Sequence, residues 1–125
     1  MIPQILNSDF WRALDRLIYE SEIVIDRPKG SCHPKYRDMI YPLDYGYLKN
    51  TSSMDGQGID VWCGSQREKS LRAIVVIVDL WKRDSEIKLL IGTTEEEART
   101  VYDFHNNNGD AMQGILIPRE ESRMT

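Results

Sequence analysis

Residues 25–61, IDRPKGSCHPKYRDMIYPLDYGYLKNTSSMDGQGIDV, decide how the rest of the chain is read. Cations (Arg27, Lys29, Lys35, Arg37), hydroxyls (Ser31, Tyr36, Tyr41, Tyr45, Tyr47) and acids (Asp38, Asp44, Asp55, Asp60) alternate there with turn-forming residues. Burying so many polar groups is costly unless each finds a partner, so the stretch is poor core material. It suits a site that holds a multiply charged anion together with a hard cation, which prefers oxygen ligands. Its sharpest point is DGQGID, where Asp55 and Asp60 stand on either side of two glycines.

Pro28, Gly30, Pro34 and Pro42 break up regular structure, and the residues preceding the prolines are biased to extended backbone. Residues 45–48 resume a strand, in which Gly46 permits close approach of another backbone or a ligand. A turn-rich loop follows at residues 50–58. Residues 59–63 then form a strand with Asp60 and Trp62 on one face and Ile59, Val61 and Cys63 on the other.

Upstream of this stretch, Asn7-Ser8-Asp9 offers an N-cap for a helix over residues 9–21, whose Phe10, Trp11, Leu14, Leu17 and Ile18 share a face. A short strand is expected at residues 22–26. Downstream, residues 70–81 predict a long interior strand, nearly all apolar between Ala73 and Val78, with a turn at Lys82-Arg83-Asp84. Residues 86–91 pair back, placing Asp84, Glu86 and Lys88 on one side and Ile87, Leu89 and Ile91 on the other. Three charges on one strand face either meet water or form a paired polar site. Thr93 with Glu96 has capping-box spacing and starts a helix to about residue 107, with His105 on its apolar stripe as a core histidine. A last strand covers residues 114–117. The order predicts a mainly β, α+β fold: a small barrel or highly curved sheet closed by helices.

The 125 residues predict one domain, residues 1–125, and 41% hydrophobic with 29% charged residues is an ordinary globular balance. A net charge of -4 argues against general nucleic-acid binding. The longest apolar run is too short to span a bilayer, and no secretory signal is visible. Two cysteines far apart give no disulfide framework, so the cytoplasm is the expected location, with no membrane partner. Two Cys and two His lack the spacing of a zinc site, and no nucleotide-loop or serine-hydrolase motif occurs.

Asp55, Asp60, Asp84 and Glu86 come from neighbouring elements and are candidate Mg²⁺ ligands, since Mg²⁺ takes one or two carboxylates plus water and phosphate oxygens. Arg27, Lys29 and Lys88 would neutralise phosphate, and Tyr45 would donate a hydrogen bond to it. The plainer alternative is that Asp55 begins a turn and Asp60 ends a solvated strand. His33 is expected in an exposed loop.

The segment YPLDYGYLKNT followed by DGQGIDV resembles the soluble family I inorganic pyrophosphatases, whose YPxxYGY segment precedes a D-x-D-x-x-D-V signature. The match is specific over residues 41–61 and extends to residues 25–92. What the resemblance implies is an OB-like five-stranded barrel with flanking helices and Mg²⁺-dependent hydrolysis of pyrophosphate to phosphate. Asp55 and Asp60 match metal-ligating acids and Tyr45 matches a phosphate-contacting tyrosine. Glu86 and Lys88 match a metal-ligating acid and a phosphate-binding lysine. The signature's middle aspartate, which accepts a proton from the attacking water, is Gln57 here. A further metal acid aligns with Trp81, with Asp79 or Asp84 as substitutes after a shift. Lys29, Lys35 and Arg37 stand in for cations absent elsewhere.

The expected function is therefore Mg²⁺-dependent hydrolysis of pyrophosphate or a related phosphoanhydride. Asp55, Asp60, Asp84 and Glu86 are expected to hold metal; Arg27, Lys29, Lys35, Lys88 and Tyr45 are expected to hold phosphate. The catalytic set is Asp55, Asp60, Tyr45 and Lys88, and a homo-oligomer is a further expectation. The alternative is a catalytically impaired relative that binds a phosphorylated ligand or a protein partner. A third reading is hydrolysis of a larger diphosphate such as a nucleotide.

Overall fold

Alternation of side chains along the strands builds a sheet with two distinct faces. A computed structural model describes residues 1–3, 5, 7–54 and 56–119. The elements are α1 (Ser8–Tyr19), β1 (Ile23–Arg27), β2 (Asp44–Leu48), β3 (Asp60–Cys63), β4 (Leu71–Asp79), β5 (Asp84–Ile91), α2 (Glu95–Asn106) and β6 (Met112–Pro118). The strands form one mixed sheet in the order β1-β2-β3-β5-β4-β6. β3 and β5 run parallel, and every other neighbouring pair is antiparallel. The mainly β architecture with two helices is the expected one. The sheet has six strands rather than five, and β1 and β6 are its edges.

One face packs Tyr41, Tyr45, Trp62, Val75, Ile77 and Leu90 against Ala98 and Val101 of α2. The other packs Leu48, Val61, Ile74, Leu89 and Ile91 against Trp11 of α1, with Leu14 and Ile18 beside it. The alternation expected for β3 holds: Trp62 enters the first cluster, and Val61, Ile59 and Cys63 the second. Burial of these side chains removes apolar area from water at roughly 25 cal/mol per Å². No helix among the described residues is long and apolar enough to cross a membrane.

Several boundaries differ from the sequence expectation by a residue or two, and three of them have a local reason. Helix α1 starts at Ser8 because the Asn7 side chain accepts the Asp9 N–H at 2.9 Å. Strand β4 stops at Asp79, whose Oδ1 accepts the N–H groups of Trp81 at 2.9 Å and Lys82 at 3.2 Å and turns the chain. The capping box of α2 is Thr94 with Glu97, not Thr93 with Glu96: Thr94 Oγ1 accepts the Glu97 N–H and Glu97 Oε1 accepts the Thr94 N–H. The run TTEEE offers both registers. Glu97 wins because its carboxylate also accepts the Ser65 N–H at 3.1 Å, a contact from the loop after β3.

Candidate functional site

The α2 face of the sheet is apolar where the helix covers it and charged beyond the helix. That uncovered part is a cleft of about 480 Å³ lined by Asp26, Arg27, Tyr45, Gly46, Tyr47, Gln57, Gly58, Asp60, Lys82, Glu86 and Lys88. Strand β5 contributes Glu86 and Lys88 on alternate positions, β3 contributes Asp60, and β2 contributes Tyr45. These strands lie side by side only because β3 pairs with β5 across the excursion through β4.

Lys88 is the centre of the cleft floor, 6% exposed. Its Nζ donates to Tyr45 Oη at 2.6 Å, to Asp60 Oδ2 at 2.8 Å and to Glu86 Oε2 at 3.1 Å. An ammonium has three hydrogens, and all three are used. Burial works against the charge, yet Tyr45 and Asp60 together outweigh it and raise the Lys88 pKa. Burial also raises the Tyr45 pKa, keeping the phenol protonated. The charged face of β5 is thus a paired polar site, one of the two outcomes expected for it.

Around the floor, Arg27 donates to the Tyr41 hydroxyl and lies over the rings of Tyr41 and Tyr45 at 5.5 and 5.9 Å. A bulge between Ile25 and Arg27 lets the consecutive residues Asp26 and Arg27 both reach the cleft. Gly46 sits where β1 and β2 press together: a Cβ there would lie 1.8 Å from Val24 O. Behind the floor, Trp62 Nε1 donates to His105 Nε2 at 3.1 Å. An indole N–H only donates, so His105 carries its proton on Nδ1, which faces Met112 Sδ at 3.2 Å. Burial lowers the His105 pKa to about 3, and the histidine is a core residue as expected.

Of the expected phosphate ligands, Arg27, Tyr45 and Lys88 meet in the cleft. Lys29 and Lys35 do not line it. Lys29 gives its backbone N–H to Asp44 at 2.8 Å, and Lys35 lies over the Tyr36 ring on the exposed loop closed by the Cys32–Ile40 bridge. His33, half-buried in that loop, accepts the Lys35 and Tyr36 N–H groups. Of the expected metal ligands, Asp60 and Glu86 converge, and Asp84 lies at the far end of the same strand face. Asp55 lies outside the described residues. Asp26 and Lys82 reach the cleft without having been singled out, because a bulge and a turn place them and neither leaves a periodic signal.

Among the described residues no group of three or more His, Cys, Asp or Glu is arranged to hold a metal. Two carboxylates do suffice for Mg²⁺ when substrate oxygens and water complete its octahedron. Asp60 and Glu86 give only one oxygen each to Lys88. Asp84 Oδ1 is buried with no hydrogen-bond partner among the described residues, a state that a nearby cation would relieve. The donor set therefore fits one hard divalent ion shared with a bound anion, and does not form an all-protein cage.

A mixed six-stranded sheet with two helices and a polar cleft at Lys88 defines an OB-like, pyrophosphatase-type fold. The chain is similar to an inorganic pyrophosphatase from Neisseria gonorrhoeae, with 14% identity, TM-score 0.59, and coverage of 73% of this chain and 77% of that one. It is also similar to an inorganic phosphatase from Anaplasma phagocytophilum (15%, TM-score 0.51, 75% and 80% covered) and an inorganic pyrophosphatase from Helicobacter pylori (14%, TM-score 0.53, 77% and 81% covered). At this identity the likeness is one of fold. No family model and no curated protein matches the sequence.

Proposed function

We propose that the chain is a Mg²⁺-dependent hydrolase of pyrophosphate or a related phosphoanhydride, working in the cleft around Lys88. One observation carries this reading: a buried ammonium held by Tyr45, Asp60 and Glu86 forms the floor of a charged cleft in a pyrophosphatase-type sheet. Arg27, Lys82 and Lys88 supply the positive charge that a diphosphate needs as its leaving phosphate gains negative charge. Tyr45, kept protonated, orients Lys88 and is positioned at the phosphate. Asp60 and Glu86, with Asp55 and Asp84, are the ligands proposed for the metal. When bound, Mg²⁺ supplies charge neutralisation and a more acidic water.

A second reading is favoured by Gln57, which lines the cleft where the signature has its proton-accepting aspartate. An amide cannot take that proton, so the chain would bind the phosphorylated ligand with little or no turnover. Phosphate release from pyrophosphate, with and without Mg²⁺ and in an Asp60→Asn variant, separates the two. Metal-dependent release that disappears in the variant supports the hydrolase. Thermal stabilisation by pyrophosphate without release supports the binding protein, and neither effect removes both.

A further inference from the structure

The charged cleft ends at the β4–β5 turn, and the same turn carries a second surface. Lys82 lines the cleft, while Trp81, the residue before it, is 82% exposed. Trp81 forms with Leu80, Asp110 and Ala111 a shallow recess of about 430 Å³. No ring among the described residues stacks on Trp81, although Trp11 and Trp62 are both packed in the core clusters.

The exposed indole is not on a loose loop. Asp79 Oδ1 accepts the N–H groups of both Trp81 and Lys82, and Leu80 N–H donates to Ala111 O at 2.8 Å across the recess. The Ser85 hydroxyl donates to Ile77 O at 2.7 Å and closes the base of the turn. An ammonium that serves the cleft and a bare indole thus stand on adjacent residues of a fixed backbone, whose Cα atoms are ~3.8 Å apart. An uncovered aromatic ring on a fixed backbone loses less entropy when a flat ring stacks on it than one on a loose loop.

The cleft points the same way. At about 480 Å³ it has room beyond a bare diphosphate. Building on the phosphoanhydride reading of the cleft, we infer that the substrate class is a nucleoside diphosphate, with its phosphates at Arg27, Lys82 and Lys88 and its base on Trp81 beside Asp110. The Asp110 carboxylate accepts hydrogen bonds only, so it can take the exocyclic amino group of adenine or the single ring N–H of uracil, and the larger purine plane covers more of the indole. In hydrolysis the oxygen of a water bonds to the terminal phosphorus and the bond from that phosphorus to the bridging oxygen breaks. The electron pair leaves with the nucleoside monophosphate, inorganic phosphate forms, and one water proton passes to solvent.

Trp81 provides its own probe, because acrylamide quenching of the exposed indole dominates over that of the two buried ones. With Mg²⁺ present, ADP, UDP and pyrophosphate are titrated into the full chain and into Trp81→Ala, following quenching in the wild type and thermal stabilisation in both. The inference expects ADP to shield Trp81 and to bind roughly tenfold more tightly than pyrophosphate, the scale of one stacked base. UDP should shield it less. Trp81→Ala should remove the ADP advantage and shift pyrophosphate affinity less than about twofold. If pyrophosphate stabilises the chain while ADP neither shields Trp81 nor binds more tightly, the nucleotide inference fails and the phosphoanhydride reading stands. If neither ligand binds, both fail. Equal loss of pyrophosphate and ADP binding in the variant also overturns the inference, since the indole would then be supporting the cleft itself.

Discussion

Lys88 Nζ lies 2.8 Å from Asp60 Oδ2, an ion pair that joins β5 to the start of β3 at the bottom of a solvent-facing cleft. Lysine and aspartate are each expensive to bury alone, and here each is the other's compensation. The pair also sets the charge of the site: the ammonium stays protonated, and each carboxylate keeps an oxygen for other work.

Lys88→Met keeps most of the buried stem and removes the charge. Asp60 and Glu86 are then left facing one another without a counter-ion, and the expected cost is about 3 kcal/mol, the low end for breaking a buried pair because Asp60 is partly solvated. Urea unfolding measures it. A midpoint unchanged from the wild type would mean the three groups are individually hydrated and the cleft floor is not a coupled unit.

Gln57→Asp restores a proton acceptor at the cleft wall. If the cleft is a hydrolase limited by its missing base, phosphate release from pyrophosphate with Mg²⁺ should rise by roughly 10²-fold or more. Initial rates at saturating substrate decide this. A rate that does not move places the limit elsewhere and favours the binding reading.

His105 makes stability depend on pH in a definite direction. Its pKa falls from 6.5 to about 3 on folding, so below pH 6.5 the unfolded chain takes a proton that the native core refuses. The contribution is complete above pH 6.5 and is lost as pH falls toward 3, at about 1.4 kcal/mol per pH unit. His105→Gln keeps an acceptor for the Trp62 N–H and removes the titration. Denaturant midpoints from pH 7 to pH 4 should fall less steeply in the variant; parallel curves would show that the buried imidazole is not the group that titrates.

The two threonines before α2 should respond in opposite ways. Thr94→Ala removes the cap oxygen and should cost about 1 kcal/mol. Thr93→Val replaces a buried hydroxyl that has no partner among the described residues, so it should be neutral or stabilising. Thermal or urea unfolding of both variants tests the capping register. A destabilising Thr93→Val beside a neutral Thr94→Ala would put the cap at Thr93.

Much of the sheet could be read directly from residue order. The alternation of Asp60 and Trp62 against Val61 and Cys63, and of Glu86 and Lys88 against Leu89, is a local property of an extended chain, so it predicted which side chains share a face. The apolar run from Ala73 to Val78 marked an interior strand, now flanked by β5 and β6. What failed locally was register at ends: Thr93 and Thr94 look alike in sequence, and only Glu97's contact with Ser65 separates them. Lys29 and Lys35 looked as good as Arg27 by composition. The loop at Cys32 and Ile40 folds on itself, and Lys29 and Lys35 do not line the cleft.

The sequence by itself determined the chemistry on offer: carboxylates, an ammonium, a guanidinium and phenols, set on strands whose period of two fixes their faces. Only the tertiary structure decided which of them meet. Tyr45, Asp60 and Lys88 converge because β3 pairs with β5 rather than with β4, the next strand along the chain, and Asp26 and Lys82 join them through a bulge and a turn. Strand order and the bulge are settled by contacts between distant residues, and no short-range pattern encodes them.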